Sequence, residues 1–479
     1  DNNNNNNKED NSNGARSMSQ PDSTGNIVNE VEEKHALAAL ERAWGEFLQS
    51  SDESLVLAGL PLTSRSIQQL IKKVEQHPSA VGKNEQEYLI PRKIALRDFR
   101  FDRKPELLVQ MARFFHCIIS NLEVIRITRV QERDTFCKLF HGLFEEKFIN
   151  GGVKIKNVSL NQVNFSGCTN GFLLQQLLVN SPSISELCLQ NCSVDEAMMQ
   201  CLARGLEKKP TESDTRSVGL GLIWCDLSDS CLSAFVSALP VSTCLGELDI
   251  SYASSLTPAS IANIAQIIEK QTNLHNIELL WNRSLLEGST KQFYPFFRAV
   301  EQSPSLRRIC MKCHSLGNDE ISGLFQALEN NHMLNEVVLR GDNLTLEHSA
   351  PDRIGWVNSI PKLRGLRDLD LPDRLWNQTN WSSLFLALHR NMSLIEYREG
   401  FSGKSTEDPA LLPFLRRNKL LQYASAILER HDQIVHVSAW SLILEKLGSG
   451  ENNEGTPIFE LFRGKATELC QAAGEECRH

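Results

Sequence analysis

Apolar residues recur along this chain in two alternating periods. Stretches with every second position apolar predict half-buried strands: Leu55-x-Leu57, Ile94-x-Leu96, Ile125-x-Ile127, Val158-x-Leu160, Leu187-x-Leu189 and Leu220-x-Leu222. Leu248-x-Ile250, Ile277-x-Leu279, Ile309-x-Met311, Val337-x-Leu339 and Leu369-x-Leu371 continue the series. Between them lie stretches with the three-to-four spacing of a helix face, such as Phe172-Leu-Leu-Gln-Gln-Leu-Leu and Ile321-x-x-Leu324-Phe-x-x-Leu328. From Leu57 to Leu371 the chain covers 314 residues in ten steps, about 31 each. Strand, helix, strand at a near-constant step predicts an α/β fold. Parallel strands lie side by side, and every helix returns on the same side with right-handed crossover.

The fullest copy of the unit is Ile184-Ser-Glu-Leu187-Cys-Leu189-Gln-Asn-Cys192-Ser-Val194. Its spacing, L-x-x-L-x-L-x-x-N/C-x-L, returns at Leu306-x-x-Ile309-x-Met311-x-x-His314-x-Leu316 and at Leu334-x-x-Val337-x-Leu339-x-x-Asp342-x-Leu344. Over residues 52–400 this resembles the ribonuclease-inhibitor-like subfamily of leucine-rich repeat proteins. The resemblance implies a horseshoe-shaped leucine-rich repeat solenoid with a parallel inner sheet and outer helices, whose inner face grips a partner. The sequence departs from that pattern near Pro210 to Thr215 and Glu347 to Pro361, both expected to be loops. The ninth position is often Cys, Val, Phe or His, so some turns are expected to lack their usual side-chain bond to the loop backbone.

A stack of this kind needs a cover at each open end. Residues 1–27 begin as an Asn run and are expected to be a disordered tail. Residues 28–51 hold an amphipathic capping helix, with Val31, Leu37, Leu40, Trp44, Phe47 and Leu48 on one broad face. A polar linker is expected at Ser79 to Gln86. The repeat pattern stops past Tyr397, and residues 401–479 read as a C-terminal helical cap. Its first helix begins at Asp408-Pro409, and three more lie at Leu420–Leu428, Val437–Leu447 and Ile458–Leu469.

Composition narrows the function. The chain has 479 residues, 41% hydrophobic, with a net charge of −9 and its charges intermixed, so no basic stripe for nucleic acid stands out. No apolar run reaches the length of a membrane span. The 13 cysteines are scattered, several at core positions, which suggests a reducing compartment and an intracellular setting, cytoplasmic or nuclear. Cys310-Met-Lys-Cys313-His314 spells a haem-attachment motif but lies inside a repeat, where ordinary strand residues explain it. Gly400-Phe-Ser-Gly403-Lys404-Ser405 ends like a phosphate loop, yet Arg398 stands where the first Gly is required. No catalytic residue, metal site or cofactor is expected.

What remains is surface. The strand positions between the leucines point away from the helices. One place past the second Leu come Gln190, Ile223, Ser251, Leu280, Lys312 and Arg340. Two places past it come Asn191, Trp224, Tyr252, Trp281, Cys313 and Gly341. Trp224, Tyr252 and Trp281 thus form an aromatic stripe with Ile223 and Leu280 beside it. Charge on this face is banded: Lys93, Arg97 and Arg126, then Glu186, Glu247, Asp249 and Glu278, then Arg308, Lys312 and Arg340, then Asp368 and Asp370. The expected function is a non-catalytic scaffold that binds another protein through this face. The alternative is a regulator acting on an enzyme, an inhibitor or a GTPase activator.

Overall fold

The computed structural model describes residues 24–49, 54–58, 61–76, 91–97, 100–101, 105–118, 122–129, 155–163, 168–209, 217–280, 282, 285, 290–312, 318–340, 355–371, 378–399, 411–412, 414–415 and 418–419. They fall in two units, residues 1–152 and 153–479. The expected linker at Ser79 to Gln86, the loop at Pro210 to Thr215 and the helices past Leu420 lie outside the described residues, as do residues 1–23.

The first unit opens with α1 (Thr24–Gln49), which starts ahead of the expected Val28. Ala36, Leu40, Trp44 and Phe47 are buried, a single stripe at helical spacing, whereas Val31 and Leu48 are 50% and 43% exposed. The covered face is therefore narrower than the sequence suggested. Then come β1 (Ser54–Ala58), α2 (Ser64–Gln76), β2 (Lys93–Arg97), α3 (Pro105–Ile118) and β3 (Val124–Thr128). The three strands are parallel and in register, Leu55 against Ile94 and Ile94 against Ile125. Helix α2 begins where it does because Thr63 and Ser66 cap each other. The Ser66 N–H donates to Thr63 Oγ1 at 3.1 Å and the Thr63 N–H to Ser66 Oγ at 3.0 Å.

The second unit repeats one motif. Its strands are β4 (Asn157–Asn161), β5 (Glu186–Gln190), β6 (Val218–Ile223), β7 (Leu245–Asp249), β8 (Asn276–Leu279), β9 (Arg308–Lys312), β10 (Glu336–Arg340), β11 (Asp368–Leu371) and β12 (Glu396–Glu399). Its helices are α4 (Cys168–Asn180), α5 (Glu196–Lys208), α6 (Asp229–Ala238), α7 (Ser260–Lys270), α8 (Thr290–Gln302), α9 (Asn318–Asn330) and α10 (Gln378–Arg390). Each strand pairs in parallel with the next. One column of partners runs unbroken through Val158, Leu187, Leu220, Leu248, Ile277, Ile309, Val337, Leu369 and Tyr397. Every member of that column is buried. The strand at β12 extends the series one repeat past Leu371; the sequence pattern gave no leucine pair there.

The end of the loop expected at Glu347 to Pro361 is helical instead, and residues 347–354 lie outside the described residues. Gly355–Lys362 is a 3-10 helix that buries Trp356, Val357 and Ile360. Trp356 packs on Phe325 of α9, with ring centroids 5.0 Å apart. A buried tryptophan at this place fixes the segment as a short substitute for the usual outer helix.

Helices stack closely because small residues stand at their contacts. A Cβ on Gly171 would lie 2.7 Å from the Met198 Cα, so α4 and α5 meet backbone to backbone there. Helix α5 is started by Asp195, whose carboxylate accepts from the Met198 N–H at 2.8 Å.

In several repeats the turn between the helix and the next strand is tied by a buried amide. Asn331 Nδ2 donates to the carbonyls of Val300 (2.5 Å) and Ser303 (3.1 Å) in the preceding repeat. Its Oδ1 accepts from the N–H groups of Met333 (2.8 Å) and Leu334 (3.1 Å). Asn391 does the same one repeat later, donating to Ile360 (2.6 Å) and Leu363 (3.2 Å) and accepting from Ser393 (2.9 Å) and Leu394 (2.7 Å). Asn418 continues the ladder, donating to the carbonyls of Asn391 (3.0 Å) and Leu394 (2.7 Å). Gln271 fills the place with a longer side chain, bonding Pro240 and Thr243. Replacing Asn391 by Ala leaves the Ser393 and Leu394 N–H groups without their acceptor and removes one donor from each of the Ile360 and Leu363 carbonyls, which keep the Leu363 N–H and Ser393 Oγ. The expected loss is on the order of 3 kcal/mol, read as a lower urea midpoint at unchanged slope.

Candidate functional site

The helix-free face of the second unit is built from two in-register columns of strand positions. The first runs Glu186, Gly219, Glu247, Asn276, Arg308, Glu336, Asp368, Glu396. The second runs Cys188, Gly221, Asp249, Glu278, Cys310, Val338, Asp370, Arg398. The two columns differ along their length. Cys188, Gly221, Asp249 and Glu278 are half-buried, whereas Cys310, Val338 and Asp370 are covered. Asp370 is thus no surface charge, and the banding expected at Asp368 and Asp370 does not extend to an exposed carboxylate at Asp370.

Past the strands the backbone turns through a left-handed conformation. Arg129 in the first unit has φ 58°; in the second, Gln162 has 56°, Asn191 51°, Trp224 57° and Tyr252 60°. All stand two places past the second apolar position of their strand. In the second unit each of these N–H groups donates to the carbonyl one place past that position in the next repeat. Gln162 bonds Gln190 (2.9 Å), Asn191 bonds Ile223 (2.8 Å), Trp224 bonds Ser251 (2.8 Å) and Tyr252 bonds Leu280 (2.7 Å). Glycine or asparagine takes such a conformation at low cost; a bulky aromatic is an outlier there.

The next residue turns inward and ties the turn to the preceding repeat. Asn282 Nδ2 donates to the Ile250 carbonyl, and its Oδ1 accepts from the Ala253 N–H at 2.8 Å. Cys192 Sγ donates instead to the Leu160 carbonyl at 3.3 Å, and Cys225 Sγ to that of Leu189 at 3.3 Å. At these two of the non-Asn turns a thiol supplies the bond. Val163 and Ala253, which carry no side-chain donor, are only buried there. Cys192 and Cys225 also interact through their sulfurs. The hydrogen bond between them holds the Cys225 thiol below its ordinary pKa and, with burial, pushes that of Cys192 well above it.

Trp224 and Tyr252 are brought together as the sequence suggested. Their rings stack with centroids 4.2 Å apart and planes inclined by 10°. Trp224 is 53% exposed and Tyr252 is half-buried. Trp281 lies outside the described residues, so the stripe is seen as a pair. Ile223 and Leu280 are half-exposed beside it, and the backbones of Lys312 and Arg340 pair across β9 and β10. Cys313 and His314 lie outside the described residues, as does 400–405. Among the described residues, no group of three or more His, Cys, Asp or Glu could hold a metal ion.

The charges sort themselves more finely than the banding. Arg308 bonds Glu278 and also Glu336 (3.1 Å), so it bridges two strands rather than heading a basic band. Burial works against its charge, but the two carboxylates outweigh that and raise its pKa. Glu247 is 53% exposed and meets His275 Nε2 at 3.3 Å. Glu186 accepts from Asn157 Nδ2 at 2.9 Å. Asp249 accepts from Ser251 Oγ. Burial lifts the Asp249 carboxyl to about 6; Glu278 adds to the rise, while Ser251 and Arg308 oppose it. Burial, with Glu186 and Asp249 nearby, likewise pushes the Cys188 thiol up to about 11.

These features define an α/β leucine-rich repeat solenoid: parallel strands on one side, a helix behind nearly every repeat, and a tied turn between them. Comparison with known proteins adds the following. No family model matches the sequence, and no curated protein matches it. Among solved structures, the chain is similar to one in the crystal structure of the Rad7 and Elc1 complex in yeast, at 15% identity and a TM-score of 0.41, covering 82% of this chain and 98% of that one. It is also similar to the leucine-rich repeat-containing protein LegL7 from Legionella pneumophila, at 14% identity and a TM-score of 0.36, covering 65% and 90%.

The raised Asp249 carboxyl has a thermodynamic consequence. A group whose pKa is higher in the fold than in the unfolded chain favours folding when protonated, and that contribution fades as pH rises from about 4 through about 6. At neutral pH its charge costs stability. The melting temperature of Asp249→Asn, relative to the native chain, should therefore climb between pH 4.5 and pH 7; a flat difference would show that the carboxyl is not desolvated.

Proposed function

We propose that this chain is a non-catalytic scaffold that binds another protein through the helix-free face of its sheet, with Trp224 and Tyr252 at the centre. One observation carries the reading: a half-exposed tryptophan occupies a left-handed turn that a smaller residue would fill at less cost, and it presents a stacked aromatic surface there. Residues held in costly backbone conformations concentrate where a protein works. Large aromatics dominate the energetics of protein contacts. Ile223 and Leu280 stand beside the pair, Glu247, Asp249 and Glu278 lie farther back along β7 and β8 on the same face, and Lys312, Arg340 and Trp281 hold the corresponding positions of the sequence columns.

The repeat step of about 31 residues and the strand–helix alternation support placing the chain with the ribonuclease-inhibitor-like subfamily. Thiols engaged as hydrogen-bond donors at Cys192 and Cys225 support a reducing, intracellular setting.

Trp224→Asn separates a contact role from a packing role. Asn suits the left-handed turn, so the variant should melt at the native temperature or slightly above it. At the same time it should lose about 2 kcal/mol of partner affinity. Quantitative capture from native cells, comparing the two chains side by side, reads the second effect. A variant that melts several degrees lower yet keeps the same captured proteins would make the stack a packing device and remove it from the site.

A further inference from the structure

We infer that the partner segment covering Trp224 is an extended, basic stretch of polypeptide lying along β6. This rests on the scaffold reading above and specifies its occupant.

The floor comes first. Strand β6 turns Val218, Leu220 and Leu222 into the core, so Gly219, Gly221 and Ile223 face away from the helices. Two of these three positions carry no side chain. Crowding does not demand glycine at 219: a Cβ there would meet nothing nearer than Glu247, at 3.6 Å. At 221 it would come within 3.3 Å of Cys188 Sγ. Glycine inside a strand weakens it and marks a bulge or the close approach of another chain; β6 and β7 shift register at Val218/Gly219, but Gly221 stands clear of that shift and pairs regularly with Asp249. Bare backbone here forms a trough, with β5 and β7 as its sides, roughly 10 Å apart at two strand spacings. From Gly219 to Trp224 it runs roughly 17 Å, the reach of about five extended residues. The backbone of β6 is already paired with β5 and β7, so the occupant lies over the strand and does not add to the sheet.

The walls set the charge of the occupant. Glu186 rises on one side, Glu247 and Asp249 on the other. Among the described residues none of the three is paired with a Lys or Arg; their partners are Asn157, His275 and Ser251. The nearby Arg308 is already engaged by Glu278 and Glu336. An apolar or acidic segment would cover these carboxylates without compensating them, which is costly. Lys or Arg side chains compensate them. At the end of the trough the open face of Trp224 suits a guanidinium or ammonium group, or the stem leading to one.

The test uses the full chain against a random heptapeptide display library, selected at 50 mM salt. Enriched peptides should carry two or more Lys or Arg. Their binding should fall about tenfold with Trp224→Asn and at least as much with Gly219→Leu, which fills the trough. It should fall several-fold with Glu247→Gln/Asp249→Asn together, and again when salt is raised to 500 mM. Each variant's melting temperature is checked; if Gly219→Leu does not fold, Gly219→Ser replaces it. An empty selection, or basic peptides indifferent to the loss of both carboxylates, overturns the inference. Neutral or apolar peptides that still require Trp224 overturn it and leave the scaffold reading standing. Peptides indifferent to Trp224 overturn both.

Discussion

Each repeat of this chain buries its apolar residues only if its neighbours stand at the same height, and in the later repeats buried turn amides help to enforce that. Asn331, Asn391 and Asn418 each reach back to two carbonyls of the preceding repeat. Asn331 and Asn391 also hold two N–H groups of their own turn. A strand slipped by one residue would break these bonds and turn its apolar side chains to the opposite face. The column of buried partners runs continuously from Val158 to Tyr397. Without that registration, the glycines of β6, its acidic neighbours and the aromatic pair would not share a surface.

Where asparagine is absent from the strand-end turn, the same geometric need is met by other chemistry. Cys192 and Cys225 donate through sulfur to the carbonyls that Asn would reach, while Val163 and Ala253 contribute only their burial. Pattern alone sees these positions as degenerate. A cysteine there reads as a small hydrophobe until its hydrogen bond is seen, because a thiol is both.

Much of the architecture is visible in the letters. Eleven strands announce themselves through paired apolar positions, since a strand with one buried face must alternate. The twelfth, Glu396–Glu399, did not, because Tyr397 and Glu399 stand where leucines usually do. The 3-10 helix at Gly355–Lys362 was hidden by its Pro361 and by flanking polar residues. Column alignment put Trp224 beside Tyr252, since stacking in register needs only counting. It could not reveal the left-handed backbone beneath them, nor that Arg308 spends its charge on Glu278 and Glu336, for both depend on side-chain reach and turn geometry.

That left-handed turn separates shape from identity. Arg129, Gln162, Asn191, Trp224 and Tyr252 sit on nearly one backbone conformation, with φ between 51° and 60°. In the second unit its main-chain hydrogen bond uses only the N–H, which every one of them has. Each turn is therefore a socket that accepts a cation, an amide or an aromatic ring without rebuilding its neighbours. Selection can rewrite what this edge of the sheet displays, one repeat at a time, while the scaffold beneath is inherited intact.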